Sequence, residues 1–153
     1  MDLMKLIKPD VCCVPLKSSD RQGIIRELVE HLGGIGEVDN VDAITEIVWE
    51  REMQRTTGIG EGLAVPHGRC PSLSKLVLAM GIPPQPVDFQ SYDRKPVEFV
   101  VLVLSPADAI SDHVQVLGAI SRLMGDRSFR TRAIASDSNE SLSSLFLESL
   151  SKL

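Results

Sequence analysis

Two histidines and one arginine in this sequence are placed where their side chains could do chemistry. His67 follows Pro66, which lacks a backbone N–H and fixes its own φ angle, at the end of the strand-like run 63–65. An imidazole is a good nucleophile near neutral pH, because its ordinary pKa is about 6.5. His67 is therefore the candidate nucleophile, held at a strand end, where loops carry function.

His113 and Arg51 are the candidate partners of this nucleophile. His113 precedes Leu117 by four residues and so falls on the buried stripe of a predicted helix, near the helix start. Arg51 follows Ile44 by seven residues, which directs its guanidinium along the apolar face of another helix. The plainer alternatives are a satisfied core histidine for His113 and, for Arg51, a salt bridge to a nearby Glu or a side chain that extends its charge into solvent. If the three side chains converge, one imidazole can attack a phosphoryl group while the arginine stabilises its oxygens.

The segment 56–62, with the sequence TTGIGEG, is a glycine-rich turn that precedes His67. It lacks the Lys and Ser/Thr pair of a Walker loop, and it lacks the flanking elements and glycine spacing of a dinucleotide fingerprint. The sequence therefore predicts no ATP or NAD site and no cofactor. Glycines at alternate positions indicate unusual backbone angles or a close approach of other groups. We predict phosphate binding by residues of this turn and of the later helix: Thr57, Gly58, Gly60 and Ser111.

The remaining reactive side chains carry weaker predictions. His67 and Cys70 have the spacing of a metal-ligand pair, but only His113 offers a third ligand, so no metal is expected. Cys12 and Cys13 lie in an apolar run and are expected to be buried, unreactive thiols. The sequence contains no Ser, His and acid arrangement with a nucleophile elbow.

Helical and extended stretches alternate along the chain, which predicts an α/β domain. The first helix is expected to begin at a capping box formed by Ser19 and Gln22 and to end at the Gly33-Gly34 pair. Apolar periodicity predicts further helices over 41–53, capped by Asn40, and over 109–124, 127–135 and 138–150. Short apolar runs predict strands over 11–14, 76–82 and 97–104, the last of them buried.

Composition predicts that these elements form one domain over residues 1–153. The chain is 43% hydrophobic and 24% charged, which suits a globular core, and it contains no linker-like or repetitive segment. Its net charge of -5 argues against nucleic acid as a partner. Three cysteines without a paired framework, no signal peptide and no apolar run of about 20 residues predict a cytoplasmic protein without direct membrane insertion.

Three stretches of the sequence resemble one known family. They are Arg51-Glu52, the run from Thr57 to His67 that ends in Ala-Val-Pro-His, and Asp112-His113. Together they are similar to the fructose/mannitol-type (type 2) enzyme IIA domain of the bacterial phosphoenolpyruvate-dependent phosphotransferase system, over essentially the whole chain. The run 112–117 and the lack of fused transporter or phosphocarrier segments look most like the stand-alone nitrogen-regulatory branch.

The resemblance implies a mixed β-sheet with helices on both faces, in a single three-layer domain. It implies a phosphohistidine at His67, a hydrogen bond from His113 to the phosphoryl group or the attacking ring, and charge neutralisation by Arg51. The phosphoryl donor would be the histidine-containing phosphocarrier protein. In sugar-transport relatives the acceptor is a cysteine of enzyme IIB, whereas nitrogen-type relatives regulate other proteins, such as a kinase or an ion transporter, through their phosphorylation state.

Three functions remain open at this point. The first is a phosphoryl carrier in which His67 is transiently phosphorylated. The second is a regulatory interaction module whose His67 state selects its partners, and both can hold for one protein. The third is a degenerate sensor without transfer, which is disfavoured because all three site positions are occupied. The sequence does not identify a sugar, because this domain would handle only the phosphoryl group.

Overall fold

The computed structural model describes residues 2–153, and a mixed sheet of six strands lies at its centre. The strands are β1 (Cys12–Cys13), β2 (Gly58–Gly60), β3 (Leu63–Ala64), β4 (His67–Cys70), β5 (Val77–Gly81) and β6 (Phe99–Pro106). β6 pairs antiparallel with β5 along one edge. Along its other edge it pairs parallel with β3 and then with β4, where His67 lies opposite Val103. β1 pairs parallel with β5, and β2 pairs antiparallel with β3.

Within residues 2–153, five α-helices cover the two faces of the sheet. They are α1 (Arg21–Gly34), α2 (Val41–Gln54), α3 (Ile110–Met124), α4 (Arg127–Ile134) and α5 (Asn139–Ser151). α1 and α2 contact each other and pack on β5 and β4, whereas α3, α4 and α5 contact each other and pack on β6 and β1. None of these described helices is long and apolar enough to cross a membrane. The predicted α/β architecture, with a mixed sheet between helical layers, is confirmed.

The core is built around β6, which is buried along all 8 of its residues. Helices cover both of its faces, and this explains the unbroken apolar run in the sequence. The predicted apolar stripe of α1 is fully buried: Ile24, Ile25, Leu28, Val29 and Leu32. α3 buries Ile120 and Met124 as predicted, but Val114 is 62% exposed, because this side of the helix start faces solvent.

Helix starts differ from the prediction in their capping residues. α1 is capped by Asp20, whose carboxylate accepts the backbone N–H three residues later at 2.6 Å, so the predicted cap at Ser19 is wrong. Asp and Ser are about equally good caps, and the sequence offered both side by side. At α5, Ser138 and Ser141 form a reciprocal capping box. Asn40 precedes α2 in the left-handed conformation, with φ of 49°, and its side chain makes no cap bond.

Two short strands next to His67 are absent from the sequence prediction. β2 lies within the predicted glycine turn, and β4 begins at His67, where a loop was expected. Segments of 3 and 4 residues that contain glycine carry little strand propensity of their own. They are extended because their neighbours in the sheet offer them hydrogen-bonding partners: β3 pairs with β2, and β6 pairs with β4.

Candidate active site

His67 is the first residue of β4, and the main chain fixes the orientation of its imidazole. Its Nδ1 lies 2.8 Å from the carbonyl oxygen of Val65. A carbonyl oxygen only accepts hydrogen bonds, so Nδ1 carries the hydrogen and the neutral ring keeps a lone pair on Nε2. The half-buried side chain thus presents an unprotonated nitrogen, as a nucleophile requires.

His113, in the first turn of α3, lies directly beside His67. The two ring centroids are 5.3 Å apart, and the ring planes meet at 60°. The Nδ1 of His113 lies 2.6 Å from the hydroxyl oxygen of Ser105, near the end of β6, and both side chains are buried. The predicted convergence of the two histidines is present in the structure. Ser105 was not predicted; the available signal was a polar residue ending a buried strand eight positions before His113.

Arg51 lies in the last turn of α2 and lines the same cavity as His67. Its Nη1 donates to the backbone carbonyl of Arg55 at 2.9 Å, which fixes one edge of the guanidinium. In the part of the chain that the structure describes, no carboxylate lies within ion-pair distance of Arg51. The alternative of a salt bridge to a nearby Glu therefore does not hold there, and the charge of Arg51 acts on the cavity.

A cavity of about 260 Å³ opens over His67 and Arg51, and His113 is not among the residues that line it. Besides His67 it is lined by Arg51, Arg55, Thr56, Thr57, Ile59, Val65, Tyr92, Leu117 and Ser121. Ile59 is 47% exposed and Tyr92 is 64% exposed, so the cavity is open to solvent at an apolar rim. It therefore combines cationic groups suited to an anion with apolar groups suited to a protein partner.

Burial lowers the pKa of both imidazoles below the ordinary value of about 6.5, which favours the neutral form of each ring at neutral pH. For His67 the positive charge of Arg51 lowers the pKa further, against the opposing effects of its backbone hydrogen bond and of Glu52. For His113 the neighbouring His67 and Arg69 add to the effect of burial and lower the pKa in the same direction.

A buried carboxylate ties the glycine turn to α2. Glu52 is 2% exposed and accepts two hydrogen bonds from Thr57, from the backbone N–H at 2.8 Å and from the hydroxyl at 2.5 Å. The N–H of Gly58 donates to the hydroxyl of Thr56 at 3.0 Å. Phosphate binding by the N–H groups of Thr57 and Gly58 would require these bonds to exchange, and it stays a prediction. The sequence did not predict this role of Glu52; the only available signal was a carboxylate next to the candidate residue Arg51.

Gly60 and Ser111 are the other two residues predicted to bind phosphate. Gly60 has a φ of +96°, and a Cβ there would lie 3.1 Å from a carboxylate oxygen of Asp93. Glycine is thus needed at this position for the turn and for the close approach of the 82–98 segment. Ser111 is exposed in the first turn of α3 and is not among the residues that line the cavity. Phosphate binding by either residue stays a prediction.

The structure also places the three cysteines and the His67–Cys70 pair, whose spacing is that of a metal-ligand pair but for which no metal is expected. His67 and Cys70 lie three positions apart on β4, so their side chains point to opposite faces and cannot share an ion. Among residues 2–153, no three His, Cys, Asp or Glu side chains are grouped as metal ligands. Burial raises the pKa of Cys12 to about 12 and those of Cys13 and Cys70 to about 11, so all three thiols are protonated and unreactive.

The fold is that of the enzyme IIA proteins. The structure matches the crystal structure of the nitrogen regulatory protein IIA-Ntr from Neisseria meningitidis with a TM-score of 0.86 at 22% identity, over 94% of this chain and 97% of that one. It matches enzyme IIAMtl, in its complex with phosphorylated enzyme IIBMtl from Escherichia coli, with a TM-score of 0.77 at 21% identity, over 94% and 96%. At these identities the likeness establishes the architecture.

The sequence identifies the family within this fold. Residues 5–149 match the model of the family "Phosphoenolpyruvate-dependent sugar phosphotransferase system, EIIA 2". The chain belongs to this family and is an enzyme IIA component of a phosphotransferase system, as its motifs indicated. A nitrogen regulatory protein of Bradyrhizobium diazoefficiens is 32% identical over 136 residues, 89% of this chain and 88% of the relative. A fructose-specific EIIA component of Haloferax volcanii is 30% identical over 128 residues, 84% and 83%.

Proposed function

We propose that this chain is a phosphoryl carrier that accepts phosphate from the histidine-containing phosphocarrier protein on Nε2 of His67. The observation that carries the proposal is the hydrogen bond from Nδ1 of His67 to the carbonyl oxygen of Val65. This bond leaves Nε2 as the only ring nitrogen with a lone pair, in a cavity that Arg51 also lines. A neutral, oriented imidazole next to a guanidinium is what phosphoryl acceptance requires.

The proposed transfer balances without a further reactant. Nε2 of His67 attacks the phosphorus of the donor's phosphohistidine, and a new P–N bond forms as the donor's P–N bond breaks. The electron pair of the broken bond returns to the donor ring, which carries a hydrogen on its other nitrogen and therefore leaves as a neutral imidazole, while the phosphorylated ring of His67 takes over the positive charge. Nδ1 of His67 keeps its hydrogen and its bond to Val65 throughout. The P–N bond that breaks and the P–N bond that forms are similar in energy, so catalysis comes from positioning and charge stabilisation.

Arg51 and His113 have separate roles in this proposal. The N–H groups of Arg51 that are not bound to the Arg55 carbonyl donate to the phosphoryl oxygens in charge-assisted hydrogen bonds. Nδ1 of His113 lies 2.6 Å from the hydroxyl oxygen of Ser105. In the tautomer that this proposal requires, the hydroxyl donates to Nδ1, and Nε2 carries the hydrogen for the phosphoryl group or the attacking ring. Thr57, Gly58, Gly60 and Ser111 are candidates for additional donors.

The phosphorylation state serves regulation in the proposed function, as the name of the Bradyrhizobium diazoefficiens relative suggests. The alternative is transfer to a cysteine of a fructose/mannitol-type enzyme IIB, favoured by the fructose-specific relative and by the IIAMtl–IIBMtl complex. Either use needs a docking face, and α3 offers one in Ile110, 53% exposed, and Val114, 62% exposed. They lie on the same side of α3 as Leu117, which lines the cavity.

Labelling tests the carrier function directly. Incubation with phosphoenolpyruvate, enzyme I and the phosphocarrier protein should add one phosphate per chain, measured by intact mass, and His67→Ala should remove it. His31→Ala is the matched control, because His31 lies on α1 with its ring bonded to the carbonyl of Asp10. Full labelling of the His67→Ala variant overturns the assignment. His113→Ala should still accept phosphate, but more slowly.

A second experiment separates the two uses of the phosphoryl group. The phosphorylated protein is mixed with a purified fructose- or mannitol-type enzyme IIB and with its Cys→Ser variant. Rapid loss of phosphate to the wild-type enzyme IIB alone supports the sugar-transport alternative. Retained phosphate, together with binding of a purified kinase or ion transporter that differs between wild type and His67→Ala, supports the regulatory use.

A further inference from the structure

A second guanidinium stands at the mouth of the cavity and is held there by a neutral side chain. Arg55, the residue that follows α2, donates from Nε to the hydroxyl of Tyr92 at 2.5 Å, and its Cζ lies 5.7 Å from the Tyr92 ring centroid. Both side chains line the cavity that contains His67 and Arg51. Among residues 2–153 no carboxylate pairs with Arg55, so its full positive charge is available to a stronger partner.

A phosphoryl group on His67 would be that stronger partner. Charge-assisted hydrogen bonds from arginine to phosphate oxygens are about twice as strong as bonds between neutral groups, and the planar guanidinium matches phosphate geometry. The bond to Tyr92 uses only Nε of Arg55, and the structure shows no partner for its two terminal nitrogens within residues 2–153. The neutral phenol therefore competes weakly with a dianion in the same cavity.

The segment 88–95, which carries Tyr92, shows independent signs of stored strain. Gln90 and Arg94 have φ angles of 54° and 61°, in the left-handed region that favours glycine. The hydroxyl of Ser91 is buried without a hydrogen-bond partner in the described part of the chain, where it packs against Gly58. A buried hydroxyl without a partner and two strained residues raise the free energy of this conformation, which favours a rearrangement of the segment when one of its contacts is released.

We propose that Arg55 is a second phosphoryl-binding residue of the His67 site, held at the cavity mouth by Tyr92 until His67 is phosphorylated. On phosphorylation the guanidinium exchanges the Tyr92 hydroxyl for phosphoryl oxygens, and the Tyr92 side chain is released from Arg55, while Phe89 and Asp93 keep their hydrogen bonds to Thr56 and Glu61. The inference rests on the proposed function and adds no covalent step. It gives the two phosphorylation states different surfaces at Tyr92, where a partner protein can distinguish them.

Two substitutions with opposite expected effects test this exchange. The phosphorylation equilibrium is measured by intact mass against a phosphocarrier protein held at a fixed phosphorylated fraction. Arg55→Gln should shift the equilibrium away from the phosphorylated chain by about tenfold, as expected for one charge-assisted hydrogen bond. Tyr92→Phe should shift it toward the phosphorylated chain, since Arg55 no longer has a competing partner. The double variant should behave like Arg55→Gln. Arg94→Gln, an exposed arginine on the same segment, is the control and should match wild type.

The contact itself is followed by the NMR resonance of the Arg55 Nε–H group, assigned by its loss in Arg55→Lys. Its chemical shift should change when the wild type is phosphorylated. Its chemical shifts in phosphorylated wild type and in phosphorylated Tyr92→Phe should be similar, because Arg55 is not bonded to residue 92 in either protein. The resonance of Arg26, an α1 residue that pairs with Asp42 of α2 and does not line the cavity, should not change. Wild type that labels fully while Arg55→Gln keeps the wild-type equilibrium overturns this inference alone. Wild type that does not label at all overturns the proposed function and the inference together.

Discussion

The buried carboxylate of Glu52 accepts both the backbone N–H and the hydroxyl of Thr57, at 2.8 and 2.5 Å. This two-point contact joins the last turn of α2 to the start of the glycine turn, five residues later. Arg51 precedes Glu52 on the same helical turn, so the contact also fixes the backbone of Arg51 relative to the glycine turn. The geometry of the site thus depends on a residue that does not touch the cavity, since Glu52 is absent from its lining.

We expect Glu52→Ala to destabilise the protein by about 1–3 kcal/mol, because it leaves the two buried donors of Thr57 without an acceptor. Urea unfolding measures the loss. Glu50→Ala, an exposed carboxylate on the same helix, should change the free energy of unfolding by less than about 0.5 kcal/mol. Similar small effects of both substitutions would contradict the positioning role.

We expect Ser105→Ala to slow phosphoryl acceptance by about tenfold, because His113 loses the hydrogen bond that orients its ring. Stopped-flow or quenched labelling from the phosphocarrier protein measures the rate. The effect should disappear in a His113→Ala background, since Ser105 acts only through that ring. An equally large effect in both backgrounds would show that Ser105 acts by another route.

We expect Gly68→Ala to cost about 1–3 kcal/mol of stability, because a Cβ at this position would lie 3.1 Å from Ile47 and 3.2 Å from Val48 on α2. Ile47→Ala should relieve part of that cost, and thermal unfolding of wild type, the two single variants and the double variant measures the coupling. Gly34→Ala is the matched control, because a Cβ there meets nothing within 4 Å. A penalty at Gly68 that Ile47→Ala leaves unchanged would rule out the contact as its cause.

We expect the protein to lose stability as the pH falls through about 6.5. Burial lowers the pKa of His67 and of His113 in the folded state, so below this pH the unfolded chain binds protons that the folded chain does not. The free energy of unfolding therefore declines as the pH falls. Urea unfolding at about pH 7.5 and about pH 5.5 should show a smaller decline for the His67→Gln/His113→Gln variant than for wild type. Equal declines would contradict the pKa shifts.

The sequence predicted the elements that apolar periodicity defines and the residues next to a rigid motif. The stripe of α1, the unbroken run of β6 and the Pro66-His67 pair each follow from local chemistry, and the structure contains all three. The two histidines could be placed together because one ends a strand-like run and the other lies on a buried helical stripe.

Contacts between distant segments could not be predicted in this way. Arg55 and Tyr92 are 37 residues apart, and their bond depends on how the 88–95 segment folds back against α2. β4 is extended because it pairs with β6, and a pairing with a distant strand leaves no signal in the local sequence of β4. The cap of α1 was misplaced by one residue because Ser19 and Asp20 are chemically equivalent there.

The pairing of β4 with β6 has a consequence for how the chain finds its active arrangement. A strand of 4 residues makes too few ladder bonds to exclude a slip by one position. Such a slip would turn the imidazole of His67 toward α2, into the place of Gly68, where even a methyl group would lie only 3.1 Å from Ile47 and 3.2 Å from Val48. Packing against α2 thus disfavours the shifted register of β4. The register that places His67 opposite Val103 also brings it next to His113.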